Sequence, residues 1–291
     1  MPRPLDERFR PPAPALIEAQ VRAALAEDLG PGDATAQLLD DVPAEAHVTC
    51  KQAAVIAGGP WFDACFRALD AAARIDWQVA EGEHVEAGCV VCTVHARTRA
   101  IVSAERSALN FLQTLSATAT TTAAHVAALS GSRTRVLDTR KTLPGLRAAQ
   151  KYAVRVGGGG NHRHGLYDAV MLKENHIAAA GSITAAVERA RARHPRLPVI
   201  VEVETLDELD EALGSGCARI LIDDFDPAMM REAVRRAGGR IPLEVSGSVS
   251  LERLPAIAAT GVDYVSIGAL TKHVRAIDLS LRLSAPAAAS R

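Results

Sequence analysis

Between residues 138 and 173 the chain gathers side chains suited to holding a polyanion. Asp138, Thr139, Arg140, Lys141 and Thr142 come first, glycines fill positions 157–160, Asn161, His162 and Arg163 follow at once, and Leu172 and Lys173 close the stretch. A planar guanidinium can hold a carboxylate or phosphate in two-point fashion, a lysine brings a mobile point charge, and bare glycine backbone lets N–H groups approach oxygen closely. The glycines alone say little, since flexible loops use them too. His162 and Arg163 directly behind them turn the run into a candidate anion site.

The rest of the chain bounds which anion this is. With 33 basic and 34 acidic side chains among 291 residues, the cations near residue 150 are a local concentration and not a global bias, so nucleic acid and anionic membrane are not expected partners. Aromatic residues make up only 3%, too few for base-stacking platforms. No apolar run approaches the roughly 18 residues that span a bilayer, and the proline-rich start at residues 1–14 lacks a signal-peptide core, so a cytoplasmic protein is expected. The odd set Cys50, Cys65, Cys89, Cys92 and Cys217 does not resemble a disulfide framework. Cys89 and Cys92 sit in a valine-rich strand pattern where residues three apart face opposite ways, which argues against a shared metal or redox pair.

These residues need elements to position them. Ile17, Val21, Ala24 and Leu25 fall at helical spacing, and Gly30, Pro31 and Gly32 end that helix. Strands are expected at residues 47–51, 54–57, 75–80 and 90–95, with a helix at 61–72 among them. Residues 81–88 have the turn-rich look of biotinyl and lipoyl carrier folds, but a carrier displays a lysine at a hairpin tip and none lies between Lys51 and Lys141. A long helix is expected from Ser103, with Ala108, Leu109, Leu112 and Leu115 as its apolar stripe and Glu105 in its first turn. Beyond Gly131, β-rich runs at 135–137, 169–172, 199–203, 219–222, 243–245 and 264–267 alternate with helical patterns at 183–192, 206–213, 227–237 and 251–259. Repeated βα units mean a parallel sheet, closed into a barrel or open and doubly wound.

In a βα barrel the reacting groups stand at the C-terminal strand ends. Here those ends carry residues 138–141, Lys173 with Glu174, Glu202 with Glu204, Asp223 with Asp224, Ser246 with Gly247 and Ser248, and Ser266 with Ile267 and Gly268. Each has a plainer reading: Asp223 and Asp224 could open the next helix, Glu202 could neutralise Lys173, and residues 246–248 could be an ordinary turn. Six polar strand ends together are harder to dismiss, and the last two match the phosphate site that barrels often form there. His176, His194 and His273 are read as helix or loop residues without a role.

Assembled, these motifs resemble the quinolinate phosphoribosyltransferase family over nearly the whole length. The likeness rests on residues 26–30, on Glu105-Arg106-Ser107-Ala108-Leu109-Asn110-Phe111, on Asp138-Thr139-Arg140-Lys141-Thr142-Leu143-Pro144-Gly145, and on Lys151-Tyr152-Ala153-Val154. It continues through the glycine run into Asn161-His162-Arg163, then Leu172-Lys173-Glu174-Asn175-His176, Glu202-Val203-Glu204 and residues 266–271. The resemblance implies an α/β fold in which an incomplete (β/α) barrel accompanies an N-terminal α/β sandwich domain. Residues 1–14 are then a flexible start, 15–116 the sandwich domain rejoined by 270–283, 117–269 the catalytic barrel and 284–291 a disordered tail.

The resemblance further implies transfer from phosphoribosyl pyrophosphate to quinolinate with decarboxylation, Mg2+ as cofactor, and a homodimer in which Arg106 reaches the partner's site. By position, Arg140, His162 and Arg163 match quinolinate-binding residues, Thr139 lies in the same motif, and Lys141 and Lys173 match lysines near the donor and the substrate carboxylate. Glu202 and Asp223 match acids facing the ribose hydroxyls and the metal, directly or through water. Ser246, Gly247, Ser248, Ser266, Ile267 and Gly268 match phosphate loops, with Ser248 departing from the glycine common there. The alternatives are a phosphoribosyltransferase for another heterocyclic acid, and a non-catalytic barrel that binds phosphometabolites; the latter would gain nothing from the carboxylates Glu202 and Asp223.

Overall fold

In the computed structural model the described residues are 7–284 apart from 248. Helix α1 (Pro14–Leu29) opens on proline, whose fixed φ suits a first helical turn, and stops at Gly30 with φ +50°. Then come β1 (Pro43–Cys50), β2 (Ala54–Val55), α2 (Gly59–Leu69), β3 (Arg74–Trp77), β4 (His84–Val85) and β5 (Val90–Arg97). The long helix α3 (Thr98–Ala127) starts directly after β5, earlier than Ser103. Glu105 is therefore not in its first turn, which holds no acid. The expected apolar stripe is buried: Ala108, Leu109, Leu112 and Leu115 all point inward.

Strand β6 (Arg135–Leu137) is followed by helix α4 (Arg147–Val156), β7 (Val170–Leu172), α5 (Glu174–Ala180), α6 (Ile183–Arg193) and β8 (Val199–Val203). Next are α7 (Leu206–Gly214), β9 (Arg219–Asp223), α8 (Pro227–Ala237), β10 (Leu243–Ser246), α9 (Leu254–Ala258), β11 (Tyr264–Ser266), α10 (Ala269–Lys272) and β12 (Leu279–Leu283). The helix expected over 251–259 divides into a 3-10 turn, Leu251–Arg253, and α9, because Pro255 in the first turn of α9 marks a new helix start.

The chain forms two compact units, one of residues 1–121, 143–158 and 273–291, the other of residues 122–142 and 159–272. This differs from a barrel running unbroken over 117–269: α4 belongs to the first unit. It is buried there by Ala149, Gln150, Lys151, Tyr152, Ala153, Val154 and Val156. The first unit holds a four-stranded sheet ordered β12-β1-β5-β3, antiparallel throughout, with Leu281 opposite Val48 and Cys92 opposite Val48 on the other side. Trp61 is fully buried between Gln20, which accepts its Nε1–H at 2.7 Å, and the ring of Tyr152 at 5.6 Å. Residues 7–14, expected to be flexible, include a 3-10 turn, Glu7–Phe9, and Arg10, whose carbonyl accepts from Arg155 Nη2 at 2.6 Å. Residues 1–6 and 285–291, and with them most of the expected tail, lie outside the described residues.

In the second unit six parallel strands run in the order β6-β11-β10-β9-β8-β7. That order is the chain order turned round a ring and cut between the first strand and the second, which is the order of a barrel and not of a doubly wound sheet, where it reverses in the middle. At the cut, Leu137 makes one parallel bridge to Gly160, so the backbone after α4 runs beside β6. A Cβ at Gly160 would lie 2.9 Å from Leu137 Cδ2, which explains a glycine at this close approach.

Candidate active site

Strand register brings the polar ends together. Residues two apart share a strand face, and β8 pairs Glu202 with Leu221, β9 pairs Leu221 with Glu244 and Asp223 with Ser246, and β10 pairs Glu244 with Tyr264. One face therefore carries Ile200 and Glu202, then Leu221 and Asp223, then Glu244 and Ser246, then Tyr264 and Ser266. Ile200 and Leu221 pack with Ala169 and Met171 into an apolar floor. Above that floor, toward the C-terminal ends, stand Lys173, Glu202, Asp223, Ser246 and Ser266.

Lys173 Nζ donates to both oxygens of Glu202, at 2.6 and 2.8 Å, and Glu202 is 8% exposed. The neutralising pair considered from sequence is therefore real, and it stands at the strand ends where a substrate hydroxyl would compete for the same atoms. Lys173 is also the N-cap of α5, where its backbone N–H donates to His176 Nδ1 at 3.1 Å. His176 thus has a task the sequence reading denied it: its Nδ1 accepts the Lys173 N–H and fixes that backbone at the start of α5. Asp223 and Asp224 do not open the next helix, because Asp226 caps α8 by accepting from the N–H groups of Ala228 and Met229. Asp224 has φ +53°, and a Cβ at Gly247 would lie 2.7 Å from Asp224 Oδ1, so the ends of β9 and β10 meet closely. Ser248 lies outside the described residues.

At the first strand, Thr139 Oγ1 accepts the Lys141 N–H at 3.0 Å, and the Lys141 carbonyl accepts from Thr271 Oγ1 at 2.7 Å. Gly268 faces both: a Cβ there would be 2.9 Å from Lys141 Cδ and 3.5 Å from Thr139 Oγ1. The Ile267 N–H donates to the Leu137 carbonyl at 2.9 Å, which ties the last strand end to the first. Asp138 is fully buried and accepts from Asn161 Nδ2 at 2.6 Å and from the His162 N–H at 2.8 Å, so the Asn161-His162-Arg163 segment is pinned beside the Thr139-Arg140-Lys141 loop.

This corner gathers Arg140, His162 and Arg163 together with the carboxylates Asp138 and Asp168. Burial first, and then the neighbouring Arg140 guanidinium, push Arg163 below its ordinary value, against a smaller opposite pull from Asp168. Arg163 Nη1 donates to the Ala169 carbonyl at 3.1 Å. A cavity of about 290 Å³ is lined by Asn161, His162, Arg163, Asp168, Ala169 and Arg219, among others. Cavities of about 1070 and 930 Å³ in the first unit contain none of the residues singled out from sequence, so size does not locate the chemistry.

Two residues of this region went unremarked in the sequence. Glu244 is 0% exposed in the middle of β10; its Oε2 accepts from Arg219 Nη1 at 2.8 Å and its Oε1 faces His162 Nε2 at 3.4 Å. A glutamate between Leu243 and Val245 was the available signal. Arg106 is exposed on α3, in the first unit. The cysteines are all free; burial pushes Cys65 up to about 12 and raises Cys92 as well, which suits inert core thiols. No group of three or more metal-ligating side chains occurs among the described residues, and no helix there is long and apolar enough to cross a membrane.

A barrel of parallel βα units with cations, carboxylates and small loops in succession at its strand ends is the architecture of an anion-handling barrel enzyme. Family models confirm the class: that for the quinolinate phosphoribosyl transferase N-terminal domain matches residues 33–116 and that for the C-terminal domain residues 118–282. The chain is 44% identical over 276 residues to the nicotinate-nucleotide pyrophosphorylase [carboxylating] of Mycobacterium leprae, covering 90% of this chain and 95% of that one. It is 39% identical over 289 residues to the chloroplastic protein of that name from Arabidopsis thaliana, covering 92% and 82%. The solved nicotinate-nucleotide pyrophosphorylase from Francisella tularensis superposes with a TM-score of 0.92 at 42% identity, over 97% of this chain and 100% of that chain. The chain belongs to the quinolinate phosphoribosyltransferase family.

Proposed function

We propose that this protein transfers the phosphoribosyl group of phosphoribosyl pyrophosphate to the ring nitrogen of quinolinate, releasing pyrophosphate and carbon dioxide and leaving nicotinate mononucleotide for NAD synthesis. The observation that carries the choice of acceptor is that Asp138 pins the Asn161-His162-Arg163 segment beside the Thr139-Arg140-Lys141 loop, which brings the Arg140 charge to bear on Arg163. One carboxylate does not need both; two carboxylates on adjacent ring carbons use both, with His162 beside them.

In this reading Arg140, His162 and Arg163 orient the dicarboxylate so that the pyridine nitrogen faces the ribose carbon. Thr139, Lys141 and Gly268, already in contact, receive the donor's phosphates together with Ser246, Gly247, Ser248, Ser266 and Ile267. As pyrophosphate leaves, the ribose carbon becomes oxocarbenium-like, and the carboxylates of Glu202 and Asp223 stabilise it. Lys173 is poised to move from Glu202 to the substrate carboxylate. Once the ring nitrogen is alkylated its positive charge accepts the electron pair left by departing carbon dioxide, so no covalent nucleophile is required.

Mg2+ fits this donor set as a substrate-borne ion: it commonly takes one or two carboxylates and completes its shell with water and phosphate oxygens. Glu202 and Asp223 would hold it, directly or through water, and it would supply charge neutralisation for the leaving pyrophosphate. The exposed Arg106 supports the further expectation of a homodimer in which it serves the partner's site. Free thiols throughout agree with a cytoplasmic protein.

The test is stoichiometric. Pyrophosphate and carbon dioxide are measured together with quinolinate and nicotinate as competing acceptors, and equimolar release with at least about ten-fold preference for quinolinate is expected, since an unsatisfied buried charge costs more than about 1–3 kcal/mol. Equal use of the two acids, or pyrophosphate without matching carbon dioxide, overturns the assignment.

A further inference from the structure

Glu244 has no part in the chemistry above, yet it touches a residue that does. Its Oε2 accepts from Arg219 Nη1 at 2.8 Å, and Arg219 in turn lies over the Tyr264 ring at 4.5 Å. Its Oε1 faces His162 Nε2 at 3.4 Å. On the opposite edge of the imidazole, His162 Nδ1 accepts the Arg163 backbone N–H at 2.6 Å. A ring nitrogen that accepts an N–H carries no proton itself, so the ring proton sits on Nε2, toward the carboxylate.

We infer that Glu244 is a positioning residue for the dicarboxylate pocket: it fixes His162 in the Nε2–H tautomer, which leaves Nδ1 to hold the backbone of Arg163 and with it the guanidinium offered to the substrate. This rests on the reading of Arg163 as an acceptor-binding residue, which His162, with both ring nitrogens engaged by the protein, serves by holding the Arg163 backbone. The burial of Glu244 is complete, and its neighbours on every packed strand supply the balance: Arg219 from β9, Ser266 and Tyr264 from β11, and His162 from the segment beside β6. Burial pushes its carboxyl up, but His162, Arg219 and Ser266 outweigh this and leave it below the ordinary value, ionised at neutral pH. Substitution by glutamine is informative because an amide has one oxygen and one NH2 group. It cannot accept from Arg219 and from His162 through separate atoms, so one donor is left facing a donor.

The first measurement uses the full-length wild-type chain without substrate. Long-range 1H–15N correlation at pH 8 should show His162 as the Nε2–H tautomer; an Nδ1–H tautomer or an imidazolium there overturns the inference whether or not any variant folds. The second compares Glu244→Gln with wild type. Quinolinate KM should rise about ten-fold while the KM for phosphoribosyl pyrophosphate changes less than about two-fold, and the His162 tautomer should become mixed. A parallel rise in both KM values with the tautomer retained would make Glu244 a structural carboxylate only. Absence of turnover of quinolinate by the wild-type chain would sink the parent reading, which the substrate-free tautomer measurement does not depend on.

Discussion

The two units bury charge in opposite ways. In the first, Glu81 accepts from the N–H groups of Gly58 and Gly59 at 2.6 and 3.2 Å, at the start of α2, and Asp63 accepts from Trp77 Nε1 at 3.0 Å and pairs with Arg67. Burial nevertheless raises both carboxyls above their ordinary values. These acids are consumed by their own fold, although both line the large cavity there. In the second unit, Arg140 depresses its like-charged neighbour Arg163, and Glu202 is held at the strand ends by a single, partly exposed lysine. A protein keeps such an arrangement where a ligand completes it, and the contrast separates a scaffold carboxylate from a site carboxylate better than burial does.

The largest effect should come from emptying the first unit's core. Trp61→Ala removes a fully buried indole and is expected to cost about 3–5 kcal/mol of stability, read as a lowered urea midpoint, with the quinolinate KM of the folded fraction unchanged. A KM change there would mean that this core also supports acceptor binding.

Next in size are the site carboxylates. Asp223→Ala and Glu202→Ala should each lower turnover by about 100-fold, roughly 3 kcal/mol of transition-state stabilisation, while quinolinate affinity changes little. Normal kcat in a folded variant would return these residues to the scaffold class.

A smaller effect is expected at Gly268, where a new methyl meets Lys141 Cδ at 2.9 Å. Gly268→Ala should displace Lys141 and raise the KM for phosphoribosyl pyrophosphate by about five-fold, at a stability cost of about 1 kcal/mol. If only stability changed, the contact would be packing and nothing more.

The smallest effect lies in acid titration, where the two units should differ in sign. Glu81 and Asp63 have raised folded values, so their contribution to stability is present at low pH and is lost as pH climbs from about 4, near their ordinary values, through the raised ones. Glu244 has a lowered folded value, so its contribution is present above the ordinary 4.5 and is lost as pH falls through the lowered one. Urea midpoints between pH 3 and 7 should therefore flatten at the upper end in Glu81→Gln and at the lower end in Glu244→Gln. Identical profiles for the two variants would remove the distinction.

Much of this was legible in the residues. The strands of the second unit are β-branched runs, such as Val199-Ile200-Val201-Glu202-Val203, and the polar residues near the ends of these runs are the ones read as candidates. Helix α4 was not legible, because Gln150 and Lys151 lie fully buried among its core residues and spoil the apolar stripe. Helix α5 escaped for the converse reason: none of its residues is buried, so it leaves no periodicity to read. Glu244 was hidden by β periodicity itself, since a strand pattern treats an inward carboxylate as an interruption and only strand pairing reveals Arg219 and His162 around it. The Arg140 and Arg163 pairing, by contrast, was guessed from motif density, and the fold supplies the proximity.

The central claim is that Arg140, His162 and Arg163 form a pocket for two carboxylates, and isothermal calorimetry of the full-length protein with quinolinate and nicotinate tests it most directly when repeated on Arg163→Gln. Wild type should bind quinolinate at least about ten-fold more tightly than nicotinate, and Arg163→Gln should erase most of that preference by weakening quinolinate alone, since the charge lost is the one a second carboxylate uses. Equal affinities for the two acids in wild type, or a preference that survives the loss of Arg163, would contradict the account.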